Sequence, residues 1–125
     1  MKPYIHILVV AVLCLTAGCA SAPYGKTLAS SSALATGALR GWNDYAQARA
    51  DIGKPVPQEQ DEIVLEVSVK YDLSESLAEA ALAAWEADKK NTNTIQRIEL
   101  ALTELGRNSS NIVELIRLFT QETLP

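Results

Sequence analysis

A chain of 125 residues that is 48% hydrophobic has material for one small core and is too apolar for a disordered tail. Fifteen acidic residues against 11 basic ones give a formal net charge of −4, which argues against nucleic acid as a partner. Two cysteines and one histidine leave little material for metal or nucleophile chemistry.

Residues 1–18 carry one charge, Lys2, followed by the apolar run YIHILVVAVLCL from Tyr4 to Leu15 and then the small residues Ala17 and Gly18. That is the layout of a signal peptide, and the run is shorter than the roughly 20 residues a helix needs to cross the hydrocarbon core. The stretch Leu15, Thr16, Ala17, Gly18, Cys19 resembles the lipobox of bacterial lipoprotein precursors. There, small residues stand immediately before a cysteine that is diacylated, freed by a dedicated signal peptidase and N-acylated. Gly18 and Ala17 fit that pattern, whereas Thr16 stands where Leu, Val or Ile is usual. Cys14 follows the bulky Leu13 and does not fit.

The resemblance implies cleavage between Gly18 and Cys19 and fatty-acyl chains, palmitate among them, on Cys19. Two or more chains give stable membrane attachment where one does not. With Ala20 rather than Asp after the cysteine, the resemblance implies the periplasmic face of a Gram-negative outer membrane. In a Gram-positive envelope it implies the outer face of the plasma membrane. Loss of residues 1–18 removes Lys2, His6 and Cys14, leaving ten basic against 15 acidic residues and a net charge of about −5. With no histidine and one acylated cysteine left, a disulfide framework, a Cys/His zinc site and a His-based triad are excluded, and no cofactor is expected.

Residues 19–26 then read as a lipidated N-terminus and short tether in which Pro23 and Gly25 break regular structure, and residues 27–125 as a helical domain. From Thr27 to about Ala50, Leu28, Ala35, Leu39, Trp42 and Ala46 recur at helical spacing, although Gly37 and Gly41 weaken a helix. The small-residue stretch within 27–38 fits either a helix or a flexible stalk. Gly53, Pro55 and Pro57 predict a loop over 52–57. In the next segment Ile63, Leu65, Val67, Val69 and Tyr71 alternate as in a strand, while Ile63, Val64, Val67 and Tyr71 also line one helical face. The acidic run Glu59, Asp61, Glu62 suits a helix start and a lone strand would lack a partner, which favours helix over 59–71.

DLSES, Asp72 to Ser76, reads as a turn with Ser76 and Glu79 as a capping box, followed by an alanine-rich helix to Lys89 with Leu77, Ala81, Ala84 and Trp85 on its inner face. Asn91 to Thr94 separates this from a helix opened by Asn93 and Gln96, with Ile95, Ile98, Leu102 and Leu105 as its stripe and Gly106 closing it. Spanning under two heptads, that stripe reads as core rather than an oligomerisation zipper. GRNSSN reads as a further turn, and Asn111 with Glu114 as the start of a last helix with Ile112, Leu115, Ile116 and Phe119 inward. The expectation is an all-α bundle of four or five short amphipathic helices.

The segment KYDLSESLAEAALAA is similar to the opening helices of lytic transglycosylases in its helix-turn-helix rhythm, and no residue matches beyond that. Glu75, Glu79 and Glu86 read as solvated faces or caps rather than a general acid. The functional expectation is a non-catalytic helical interaction or structural module of the cell envelope with a protein partner and no small-molecule substrate. Alternatives are a pilotin-like escort of an outer-membrane component, a phage-type lysis or superinfection-exclusion lipoprotein and, remotely, a peptidoglycan-active enzyme. Trp42, Tyr45 and Trp85 are the aromatic residues to examine for partner contact, although the tryptophans fall on predicted apolar stripes and so read as core.

Overall fold

The computed structural model describes the backbone of residues 2–122 and the side chains of residues 23–121. Three helices, α1 (Lys2–Asp51), α2 (Gln58–Ala87) and α3 (Thr92–Glu122), form an up-down-up bundle, and no strand occurs among the described residues. The segment 59–71 lies within α2 and 27–38 within α1, so both are helical. The turns expected at Asp72–Ser76 and at Gly106–Asn111 do not exist: α2 and α3 run through them, and the bundle has three long helices instead of four or five short ones.

The reason lies in one repeated spacing. On α2, Val64, Val67, Tyr71, Ser74, Ala78, Ala81 and Trp85 face inward at alternating steps of three and four, and Ser74 is as buried as its apolar neighbours. On α3, Ile95, Ile98, Leu102, Leu105, Ser109, Ile112, Ile116 and Phe119 do the same. On α1 the matching row is Tyr24, Leu28, Ser31, Ala35, Ala38, Trp42 and Tyr45. A stripe that alternates three and four is the seam of a left-handed bundle, and it continues unbroken through every stretch that looks like a turn. The stripe beginning at Ile95 thus runs to Phe119, more than three heptads, and it is core.

Each seam contains one buried serine, and the hydroxyls of Ser74 and Ser109 each donate to a backbone carbonyl. Ser74 Oγ donates to the Tyr71 carbonyl at 2.9 Å, within its own helix. Ser109 Oγ donates to the Ser31 carbonyl of α1 at 2.7 Å, joining helices 78 positions apart in sequence. A buried hydroxyl left unpaired would cost about 1–3 kcal/mol, so these bonds are what admit serine to the core. On α3, Ile98, Leu105 and Ile112 are fully enclosed, while the buried residues of α1 and α2 combine the small Ala35, Ala78 and Ala81 with the large Trp42, Tyr71 and Trp85. α3 packs along both other helices, while α1 and α2 share the least contact.

The helix ends follow local chemistry. Gly53 adopts φ 75°, with its N–H bonded to the Ala50 carbonyl and the Lys54 N–H to the Arg49 carbonyl, both at 3.0 Å. That pairing is a Schellman motif closing α1, and the loop over 52–57 lies where Gly53, Pro55 and Pro57 predict it. Asn91, not Asn93, caps α3: its Oδ1 accepts the Asn93 N–H at 2.9 Å. Glu79 and Glu114 lie inside helices, where Glu114 pairs with Arg117 at 2.6 Å instead of capping.

Pro23 and Gly25 do not interrupt α1. Tyr24 packs edge-on against Trp85 of α2, with ring centroids 4.8 Å apart, and its hydroxyl reaches Glu99 Oε1 of α3 at 3.2 Å. This tertiary anchoring offsets the hydrogen bond lost at proline. At the other end Trp42 Nε1 donates to Asp61 Oδ1 at 2.9 Å, tying α1 to the first turn of α2.

Candidate interaction surface

Apolar side chains that the seam does not use are concentrated on α2. Leu65, Val69, Leu73 and Leu77 stand at steps of four, and each is 59–64% exposed. Because four residues advance a helix by slightly more than one turn, this row does not run parallel to the seam. It crosses the outer face of α2 diagonally. At its upper end Leu65 lines a groove of about 460 Å³ between α1 and α2, with Leu39, Trp42 and Val64 as its apolar wall. At its lower end Leu77 lines a groove of about 540 Å³ between α2 and α3, with Ala80, Ala81, Leu100 and Ala101. Leu73 and Leu77 also meet Lys70, Glu104 and Asn108 in a shallower recess beside it. Leu100 is the most exposed large apolar residue described, and it extends the band onto α3.

The band is edged by charge. Glu66 and Lys70 form an exposed i,i+4 pair at 3.5 Å, Asp72 lies next to Leu73, and Arg97 and Glu104 flank the groove beside Leu77. A row of leucines rimmed by charges is the usual anatomy of a protein contact, since single exposed apolar residues are common but contiguous patches are not.

The aromatic residues singled out in the sequence lie elsewhere. Trp42 and Trp85 are buried, and Tyr45 is half-buried against Trp42, with ring centroids 5.7 Å apart. Trp42 also meets Phe119 at 5.8 Å, and the Lys89 ammonium lies 5.3 Å from the Trp85 ring. Cys19, the lipidation candidate, and Gly18 before it lie outside the residues whose side chains are described.

Of the glutamates weighed as catalytic candidates, Glu75 accepts the Tyr71 hydroxyl, and Glu79 and Glu86 are exposed. Burial, with the Glu75 hydrogen bond added, pushes the Tyr71 phenol up to about 12. Among the described residues no group of three His, Cys, Asp or Glu side chains could hold a metal ion, and no helix is long and apolar enough to cross a membrane.

The signal for the band was present in the sequence. Ile63, Leu65, Val67, Val69 and Tyr71 alternate because two apolar rows share one helix: the seam takes Val67 and Tyr71, and the band takes Leu65 and Val69. Too many apolar residues for one helical face is the sign of a second face. No protein family, no curated protein and no solved structure matches this chain.

Proposed function

We propose that the protein is a lipid-anchored, non-catalytic interaction module of the cell envelope, tethered through Cys19 and using the outer face of α2 as its contact surface. The exposed row Leu65, Val69, Leu73, Leu77 carries the interaction reading, because it places four large apolar side chains, each 59–64% exposed, at successive steps of four on one helix. The anchor reading is supported by the sequence from Lys2 to Cys19. Tyr24 and Trp85 pack at the end of the bundle where α1 enters it, so Cys19, five residues before Tyr24, brings that end close to lipid. Localisation follows as the periplasmic face of the outer membrane, or the outer face of the plasma membrane in a single-membrane envelope.

Crosslinking in intact envelopes, followed by isolation of the full chain, tests the contact surface. The wild type gives a discrete crosslinked product that Leu73→Glu loses and Leu34→Glu, an exposed α1 position away from the band, keeps. Equal products from all three chains would overturn the assignment of the surface. A pilotin-like escort role is a second reading, favoured by the apolar groove beside Leu77 and Leu100 that could seat a helical segment of a client.

A further inference from the structure

A two-fold axis that sets a helix antiparallel to its own copy puts each flank against the same flank, so opposite charges meet only where one flank carries both signs. α3 has such a flank. Arg97 and Glu104, seven residues or two turns apart, are both exposed and both line the groove of about 540 Å³ between α2 and α3. They stand equally far from the step between Leu100 and Ala101, which line the same groove. Antiparallel pairing about that step sets Arg97 against the second copy's Glu104, and the 72% exposed Leu100 over the small Ala101. Among the described residues Arg97 forms no ion pair within its own chain. α2 repeats the pattern about position 79, which the groove brings level with Leu100 and Ala101. Leu77 and Ala81 lie two residues either side of it, and Lys70 and Asp88 nine either side. Steps of seven, four and seven keep these four on the flank that faces α3. Leu77 then covers the second copy's Ala81, and Lys70 faces its Asp88. In a parallel pairing Arg97 would oppose Arg97, and Glu104 would oppose Glu104.

We propose that the groove between α2 and α3 is the contact for a second copy of this chain, closed by a two-fold axis that crosses it at Leu100 and Ala101. The inference rests on the reading of α2 as an interaction surface, since Leu77 lines this groove and Leu73 the recess beside it, and it names the partner there. α2 and α3 of the two copies then form a four-helix arrangement in which every neighbouring helix is antiparallel. Each exposed leucine of the groove meets an alanine, so the backbones approach closely on both rows. At on the order of 100 Å² apiece, Leu73, Leu77, Leu100, Lys70, Arg97 and Glu104 supply about three-quarters of the ~800 Å² per partner of a stable interface. A two-fold axis normal to the membrane carries each anchor onto the other at the same depth, so two copies lying along one surface satisfy it. Shared anchoring also raises their effective concentration.

Sedimentation of the full chain in mild detergent, with the protein mass resolved from bound detergent, reads the outcome. Circular dichroism checks that each variant keeps its helix content, since Glu104 also pairs with Arg107 at 2.9 Å within α3. The wild type is expected as a dimer with a dissociation constant on the order of 10 μM, and Leu100→Glu as a monomer with unchanged helicity. Arg97→Glu and Glu104→Arg alone should each weaken association about tenfold at low salt, because two symmetry-related attractive pairs become repulsive. An equimolar mixture of these two variants should associate as the wild type does, since each then offers the charge that the other lacks at both pairs. The double variant Arg97→Glu/Glu104→Arg should recover association in the same way. A wild type that stays monomeric to about 100 μM, or a mixture no tighter than either variant alone, overturns the proposal. If the wild type is monomeric while Leu73→Glu still abolishes the envelope crosslink, the surface reading stands and its occupant is a different protein. If Leu73→Glu keeps the envelope crosslink as well, the surface reading falls with it.

Discussion

Gly106→Ala has opposite expected signs under the two ways of reading α3. If Gly106 closed a helix in the left-handed conformation, a Cβ would cost about 1–2 kcal/mol. In the continuous helix Gly106 has ordinary negative φ, since Gly53 alone among the described glycines has a positive one. A Cβ built on Gly106 has no neighbour within 4 Å, so nothing must move to admit it. The remaining effect is helix propensity, where alanine exceeds glycine by about 0.8–1 kcal/mol. For a domain of this size, 1 kcal/mol raises the thermal midpoint by about 4–8 °C, and with a urea m-value near 2 kcal/mol/M it raises the urea midpoint by about 0.5 M. Urea and thermal unfolding followed by circular dichroism at 222 nm measure both. Gly53→Ala is the control of opposite sign, because φ 75° is a conformation a Cβ opposes. A midpoint lowered by Gly106→Ala as much as by Gly53→Ala would refute the continuous helix.

Asn108→Pro removes the interior N–H at the middle of the expected turn and drives the ring against the carbonyl four residues earlier, so urea unfolding should show a loss of about 3 kcal/mol or more; an effect under about 0.5 kcal/mol would place a turn there. Ile98→Ala, at a fully enclosed α3 seam position, should cost about 2–5 kcal/mol by the same assay, against 0.5 kcal/mol or less if the site were at the surface. Tyr71 has its native phenol pushed up to about 12, above the unfolded value near 10, so the protonated form is the one folding favours. Its contribution to stability is therefore complete below pH 10 and is lost as pH rises through 12. Absorbance titration at 295 nm should show one tyrosine ionising in that last step, absent in Tyr71→Phe; a variant titrating like the wild type would refute the assignment.

Much of the fold is legible in the residues once the seams are followed, and the two turns expected inside α2 and α3 fail to form for one reason. Ser74 and Ser109 look like turn residues because a hydroxyl opposes burial, yet each sits at a seam position and bonds a backbone carbonyl within reach. Seam position outweighs polarity, so α2 and α3 continue through both stretches. Pro23 misled in the same direction, since its cost to α1 is local while Tyr24 beside it is held by Trp85 and Glu99. By contrast Gly53, Pro55 and Pro57 mark a true end, because φ at Gly53 and the missing proline N–H act without tertiary help.

The candidate surface was less legible. The alanines of the α1 and α2 seams give little hydrophobic contrast, so the leucines outside the α2 seam competed with it and produced an apparent strand alternation. Which of two apolar rows is covered depends on where α1 and α3 pass, and that is set by packing rather than by the sequence of α2. The large aromatics drew attention for the same reason that they are buried: Trp42 and Trp85 offer the most apolar area, and the ends of the bundle use it.

Metabolic labelling with a palmitate analogue, with fractionation of the envelope, tests the tethered-module account at its root. The wild-type chain should carry the label and sediment with membranes, while Cys19→Ser should lose the label, retain residues 1–18 and keep the same helix content in the domain. A Cys19→Ser chain that is labelled and fractionates like the wild type would contradict the anchor and the localisation together.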